Sequence, residues 1–408
     1  PLSSTHFLVS CKPSPDRPWG IYLVDVFDNM LCLAEKPGYA LLEPTVLGAR
    51  ERPPLIPDAV KPDCTDATIY LGDVYHGPGL ADVPRGTVKA LRVYEFHYGY
   101  NRMGGHKHVG VEGPWDVHRI LGNVPVYEDG SASFTVPANT PLAIQPLDAE
   151  GKALQVMRSW FTAMPGEVLS CTGCHEAQSS APPVRPTLAA RQAPAEIEPW
   201  HGPARGFSFV REVQPVLDRH CVGCHDGRTS DEGVLVPDLR RGERGWGKFN
   251  KAYLALHPYV RRPGPESDYH LQVPLEWHAD TSELIQMLAR GHHGVELDEE
   301  AWDRLVTWID LNVPDHGTWS EHAPIPAGLA ERRRAMRAEH ACRPEDPEEI
   351  VAVDAAPIAF VPPPKPTPRA ETSETPDGWP FDADTARRLQ TESGLEPELV
   401  LDLGEGVS

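Results

Sequence analysis

The period of the apolar positions changes along the chain and divides it. Over residues 1 to about 95, apolar residues fall in short β-rich runs, His6-Phe7-Leu8-Val9-Ser10 and Gly20-Ile21-Tyr22-Leu23-Val24-Asp25, between turns rich in Pro and Asp. The pattern predicts strands and fits the last one or two blades of a β-propeller. Pro53-Pro54-Leu55-Ile56-Pro57 reads as a proline-punctuated connection. From 96 to 203 the strand-like runs continue. Gly122-Asn123-Val124-Pro125-Val126 leads to Glu128-Asp129-Gly130, and Ser131 to Val136 alternates as a half-buried strand does, so Asp129-Gly130 predicts a hairpin turn. Leu142 to Gln145 and Ala153 to Met157 predict further strands of a β-sandwich-like module.

Residues 204 to 322 turn helical. Pro215 suits the first turn of a short helix. Asp280-Thr281-Ser282-Glu283 has the form of a capping box, with Leu284, Met287 and Leu288 behind it at helical spacing and Gly291 as the stop. Asp298 is placed to cap the next helix, where Leu305, Ile309 and Asn312 share a face near Trp302 and Trp308. A charged helix over Glu331 to His340 follows, and then eight prolines between 343 and 370 mark an extended linker. Weak helix returns over Asp382 to Gln390. The expected organisation is multidomain β plus α, with propeller end 1–95, β middle domain 96–203, small helical domain 204–322, and Pro-rich, acidic linker and tail 323–408.

Composition narrows the function classes. The 44 prolines among 408 residues favour loops over long helices. A net charge of −21 argues against nucleic acid as a partner and suits basic redox proteins. No apolar run approaches the roughly 18 residues of a membrane span. The chain starts at Pro1 and reads as a mature fragment of something longer.

Four of the eight cysteines carry the chemistry, in Cys171-Thr172-Gly173-Cys174-His175 and Cys221-Val222-Gly223-Cys224-His225. In Cys-x-x-Cys-His, two thiols reach the vinyl groups along one edge of a porphyrin and the adjacent His reaches the iron, so each copy predicts a covalent c-type haem. Cys174 and Cys221 are too far apart in sequence for a four-cysteine zinc site, and the βαβ setting of a thioredoxin-like pair is absent. Cys11, Cys32, Cys64 and Cys342 are scattered; disulfides among the first three and isolated thiols both remain open.

His175 and His225 are the expected proximal ligands. For the second haem, His292 and His293 follow a helix stop and can project into a crevice, which points to bis-His ligation with His293 ahead of His292. Met287 sits on the apolar helix face, and His257, His270 and His278 are weaker candidates. For the first haem, His106, His108 and His118 could supply a distal ligand or a zinc site, or belong to a polar loop. An iron left without a strong distal ligand would be open to substrate.

Val124-Pro125-Val126, Glu128-Asp129-Gly130-Ser131, Val136 to Pro141, Gln145-Pro146-Leu147-Asp148, Met157-Arg158-Ser159-Trp160, Pro165-Gly166-Glu167 and Ser170 to Glu176 together resemble the middle domain of the hydrazine synthase alpha subunit and its relatives in planctomycete-type bacteria. Arg211 to Pro215, Gly291-His292-His293 and Trp308 to Asn312 are similar to the C-terminal cytochrome domain of that group, and the likeness covers about residues 1 to 320. The resemblance implies a propeller, a haem-bearing β middle domain and a helical domain with a bis-His haem. It also implies a catalytic first haem, whose iron is held by a tyrosine four residues past the motif His while that His serves zinc. Ser179 stands at the tyrosine's position, which argues against hydrazine chemistry and returns His175 to iron. Gly378 to Asp382 and Leu401 to Gly406 look like the lead-in to a formylglycine-generating-enzyme-like domain.

The sequence therefore predicts a periplasmic or extracellular dihaem cytochrome that passes electrons. An enzyme acting on a small nitrogen or oxygen species at the first haem competes with it, as does a zinc-binding interaction scaffold with one haem.

Overall fold

The computed structural model describes residues 1–48, 54, 58, 60–176, 179, 185–229 and 235–351. The Pro53–Pro57 connection in the main, the linker beyond 351, the 382–390 helix and the formylglycine-type likeness lie outside these residues. The chain forms two compact units that meet in sequence at Asp58/Ala59.

The first unit is an antiparallel meander of β1 (His6–Cys11), β2 (Gly20–Asp25) and β3 (Met30–Ala34). Asp25 shapes the β2–β3 turn: its Oδ1 accepts from Phe27 N at 2.9 Å and Asn29 N at 3.0 Å, while Asp28 takes a left-handed backbone at φ 66°. Tyr22 is buried, and its hydroxyl meets Glu35, which also pairs with Arg17 at 2.7 Å.

The second unit contains two sheets and the helices. One sheet has the order β10-β6-β5-β8 and is antiparallel: β5 (Ala90–His97), β6 (Val117–Pro125), β8 (Leu142–Leu147) and the two-residue β10 (Arg205–Gly206). The other has the order β7-β4-β9, with β4 (Asp66–Leu71) antiparallel to β7 (Ala132–Pro137) and parallel to β9 (Val168–Cys171). Strand alternation sorts β5 between two cores. Leu91 and Val93 pack with Ile69, Leu71, Phe134 and Ile144 between the sheets. Tyr94 and Phe96 face the helical side with Phe207, Phe209, Val213, Tyr253, Leu305 and Trp308. Among the described residues no sheet closes on itself.

Among the described residues six α-helices follow: α1 (Gln214–His220), α2 (Lys251–Leu256), α3 (Glu283–Arg290), α4 (Glu299–Asp310), α5 (Trp319–His322) and α6 (Leu329–Ala341). Pro215 lies in the first turn of α1, and Asp298 caps α4 by accepting from Ala301 N at 2.9 Å. α6 buries no side chain and is held by polar contacts, Arg333 to the carbonyl of Tyr98 at 2.6 Å and Arg337 to Glu95 at 2.9 Å.

Four expectations change. β4 and β5, assigned by sequence to the propeller end, belong to the second unit, because their pairing partners β6 to β9 come later in the chain. Asp129-Gly130 turns the chain but joins no hairpin: β6 and β7 lie in different sheets. There Asp129 Oδ1 accepts from Ser131 N at 3.0 Å and Oγ at 2.6 Å, and its Oδ2 accepts from Leu188 N. Ala153 to Met157 form no strand beyond one bridge to Leu147, since Ala153 N is taken by Asp310. The N-cap of α3 is Ser282, with Asp280 in a preceding 3₁₀ turn. No two of the eight cysteines are joined by a disulfide. Among the described residues no helix is long and apolar enough to cross a membrane.

Candidate haem centres

The second motif follows α1 as a hydrogen-bonded turn that begins at its C-cap, Cys221. Cys221 N donates to Leu217 O at 2.8 Å, and His225 N to Cys221 O at 2.9 Å. Val216 and Leu217 anchor this helix in the core, and Gln214 Nε2 bridges to Leu239 O at 3.0 Å. Leu239 N in turn donates to His225 O at 3.0 Å, which fixes the end of the motif. Cys221 is half-buried, and burial pushes its thiol up to about 11, whereas Cys224 is exposed.

Across from it, α3 stops at Gly291, whose φ of 96° is open to glycine, and the next residue turns inward. His292 Nε2 lies 3.5 Å from His225 Nε2, with ring centroids 5.8 Å apart. His293, set ahead of His292 on sequence grounds, is exposed, left-handed at φ 48°, and edge-on to His292 at 4.7 Å. The ring that meets His225 is therefore that of His292. Burial lowers the pKa of both facing imidazoles; for His225 the Pro237 carbonyl opposes the shift. Metal–imidazole bonds of about 2 Å place two ligating nitrogens about 4 Å apart across an iron, so this pair fits a haem after a small outward movement.

The other candidates are engaged elsewhere. Met287 packs against the core. His257 Nε2 accepts from Arg262 Nε at 2.9 Å, His278 pairs with Asp148 at 3.1 Å, and His270 is exposed.

The first motif has a different base. Cys171 ends β9, and its carbonyl accepts from Gly72 N at 2.9 Å; Thr172 O accepts from Asp73 N, and Cys174 O from Gly79 N at 3.1 Å. The motif thus leaves a sheet edge and is laced to the 72–79 loop. Burial raises both thiols, Cys171 to about 11 and Cys174 to about 12. Gly77 (φ 90°) and Gly79 bring their backbones so close that a Cβ on either would meet the Cys174 carbonyl. His175 is exposed at φ 61°. Beside Thr172 lies a cavity of about 220 Å³ lined by Tyr70, Asp73, His76, Arg185 and Thr187. Ser179 is exposed.

His106, His108 and His118 do not come together. His106 Nδ1 is 2.7 Å from Gly113 O and packs on Trp115. His118 sits against Tyr94 and Phe96, where burial drops its pKa to about 3. His108 lies against His322.

Missed from sequence is the buried ionic bracing behind the second centre. Arg92 on β5 donates to Asp310 at 3.1 Å, Thr307 at 2.8 Å and Gln145 at 3.0 Å, joining the sheet to α4. Glu212, just before α1, receives Arg205 at 2.7 Å and pairs with Arg304 of α4. His76 and Arg185 were missed as well, having no motif around them.

Residues 86–176 match the family described as the hydrazine synthase alpha subunit middle domain. No curated protein matches the chain. Among solved structures, Kuenenia stuttgartiensis hydrazine synthase matches with a TM-score of 0.51 and 16% identity, over 76% of this chain and 54% of that one. The chain spans about half the length of that relative, and at this identity the match speaks to fold. Residues 86–176 are thus similar to the hydrazine synthase alpha middle domain, and the chain shares its fold with hydrazine synthase.

Proposed function

We propose that this chain is a dihaem c-type cytochrome module that carries electrons outside the cytoplasm, with haems tethered at Cys171/Cys174 and at Cys221/Cys224. The approach of His225 Nε2 to His292 Nε2 at 3.5 Å carries the reading. A haem held there would supply one-electron oxidation and reduction at iron. In this reading Cys221 and Cys224 would be the thioether donors, and His225 and His292 would hold the iron with no ligand position left for substrate. Leu217 and Leu239 form part of the apolar floor behind the motif. The first motif would use Cys171, Cys174 and His175, and the meander at 1–48 would be part of a propeller. A net charge of −21 supports basic redox proteins as partners.

The second reading makes the first haem a catalytic centre for a small nitrogen or oxygen species. It is favoured by the cavity beside Thr172, where Asp73, His76 and Arg185 offer polar groups to a small molecule. A pyridine haemochrome assay decides the count: two haems per chain are expected, and fewer than two sink the dihaem proposal. Electron paramagnetic resonance of the oxidised protein separates the readings. Low-spin signals alone support the relay, and a high-spin signal supports an open first iron. His292→Ala is expected to turn the second haem high-spin while His293→Ala leaves it low-spin; the reverse result removes His292 as ligand.

A further inference from the structure

Three histidines outside both haem motifs meet where the loop after β5 approaches residues 315–322. The His108 and His322 ring centroids are 4.9 Å apart, and those of His322 and His316 are 5.3 Å apart. His108 Nδ1, His316 Nε2 and His322 Nδ1 are all buried without a hydrogen-bond partner. His316 is only 2% exposed. Each such nitrogen forgoes a bond that buried polar groups make almost everywhere in proteins. Three in one cluster call for a common partner.

The surroundings orient the deepest ring. Asp315 is 1% exposed and held by Asn250, whose Nδ2 donates to its two oxygens at 2.8 and 3.0 Å. Asp315 Oδ2 stands 3.5 Å from His316 Nδ1, the nitrogen that is not the unpartnered one. A carboxylate behind one imidazole nitrogen is the arrangement that aims the other at a metal. Phe249 stacks on the same ring at 5.7 Å and fixes its plane.

We propose that His108, His316 and His322 bind one divalent cation of the zinc class, with a fourth position open. Around a tetrahedral ion with bonds of about 2.0–2.1 Å, imidazole centroids stand about 5 Å apart, which matches both ring pairs. Among the described residues no three ligating groups are already drawn around one point. Closure asks for rotation of the half-buried His108 and His322 rings about χ2, a broad torsion in histidine. The groups acting on the cluster are the buried Asp315 carboxylate and the exposed Arg244 and Lys248, so the ion's charge is met from the protein by Asp315. The site shares no residue with either Cys-x-x-Cys-His motif and stands apart from the electron-transfer reading.

The test takes the full haem-loaded chain without a polyhistidine tag, strips it with a chelator, and titrates Zn²⁺ against a chromophoric competitor. One zinc ion per chain is expected, weakened about 100-fold or more in His108→Gln and in His322→Gln, at or beyond the top of the range for orienting groups alone. Thermal unfolding of the metal-free variants should match the parent. Co²⁺ in place of zinc should give a tetrahedral visible band that both variants lose. If either variant fails to fold, histidine carbethoxylation of the parent protein, read by mass spectrometry, replaces it: zinc should protect His108 and His322. No zinc bound at micromolar concentration, equal affinity in folded variants, or no protection overturns the proposal.

Discussion

Arg92 is the residue whose loss separates bracing from mere packing. It is fully buried, and its guanidinium donates to Asp310 at 3.1 Å, Gln145 at 3.0 Å, Thr307 at 2.8 Å and the Gly151 carbonyl at 3.3 Å. Arg92→Met keeps much of the side-chain volume and removes the charge. Asp310, 3% exposed, then retains only Ala153 N at 3.0 Å and the attraction of His278. Removing one partner of a buried pair destabilises by about 3–5 kcal/mol, because the remaining charge is stranded. Replacing both partners with apolar groups is far milder, so Arg92→Met/Asp310→Leu should regain most of the loss. A pH series adds a sign. Burial already pushes the Asp310 carboxyl up to about 6 with Arg92 in place, and loss of the guanidinium raises it further. A carboxyl with a raised folded pKa lends stability at low pH that is lost as pH rises through that value, so the deficit should be smaller at pH 5 than at pH 8. Urea unfolding of the haem-loaded protein, followed by circular dichroism, measures all three effects. A loss below about 1 kcal/mol in the single variant, or a double variant as weak as the single, would refute the bracing argument.

Four further outcomes are expected. Burial pulls the His278 imidazole down, but its hydrogen bond to Asp148 and the charges of Asp280 and Asp148 outweigh this and raise its pKa. Its stabilisation is present below about pH 6.5 and lost as pH rises through the folded value, so His278→Gln should flatten that alkaline fall; an unchanged pH profile would count against it. The Asp148 carboxyl is lowered overall, through His278 and nearby backbone donors, so its share is present above about pH 3.9 and lost in acid. Gly77→Ala adds a Cβ at a left-handed position against the Cys174 carbonyl, and should lower haem occupancy of the first motif alone, read by peptide mass spectrometry. Glu212→Gln weakens the buried pairing with Arg205 and Arg304 that seats α1 against α4, and should broaden the low-spin signal of the second haem as well as lower its melting temperature.

Local chemistry was legible wherever a few neighbouring residues decide it. Pro215, Gly291 and Asp298 each marked a helix boundary because caps and stops act within one turn. The runs of β1, β2 and β8 likewise declared themselves as short apolar stretches, and β7 by its alternation. What depended on distant partners was not legible. Asp129-Gly130 has the composition of a hairpin turn, but β7 pairs with β4, some 60 positions earlier, so the turn serves to change sheets. Arg92 sits in an alternating strand like any outward polar residue, and only α4, more than 200 residues on, makes that face an interior. The order of His292 and His293 turned on one left-handed residue at a helix stop, which no periodicity encodes. His108 was visible as a histidine, but its neighbours His316 and His322 were not, since nothing in the sequence links a loop at 108 to a segment at 316–322.

The two motifs share a spelling and differ in mounting, and the mounting bears on function. The second follows α1 directly, its Cys221 N bonded to Leu217 O and its His225 N to Cys221 O, with His292 facing His225. A haem proposed there would be held by His225 and His292, and its iron could change charge without changing its protein ligands. The first leaves a strand edge, and its conformation is imposed from outside by the 72–79 loop, whose glycines admit the Cys174 carbonyl at contact distance. No histidine faces His175 among the described residues; His76 lies across Gly173 at the cavity instead, with Asp73 and Arg185. A site built this way has polar groups and open volume on the side where the other has a second ligand. Under the proposed dihaem reading, the cavity with Asp73, His76 and Arg185 favours the first centre for a small molecule, and the facing His225 and His292 favour the second for passing electrons.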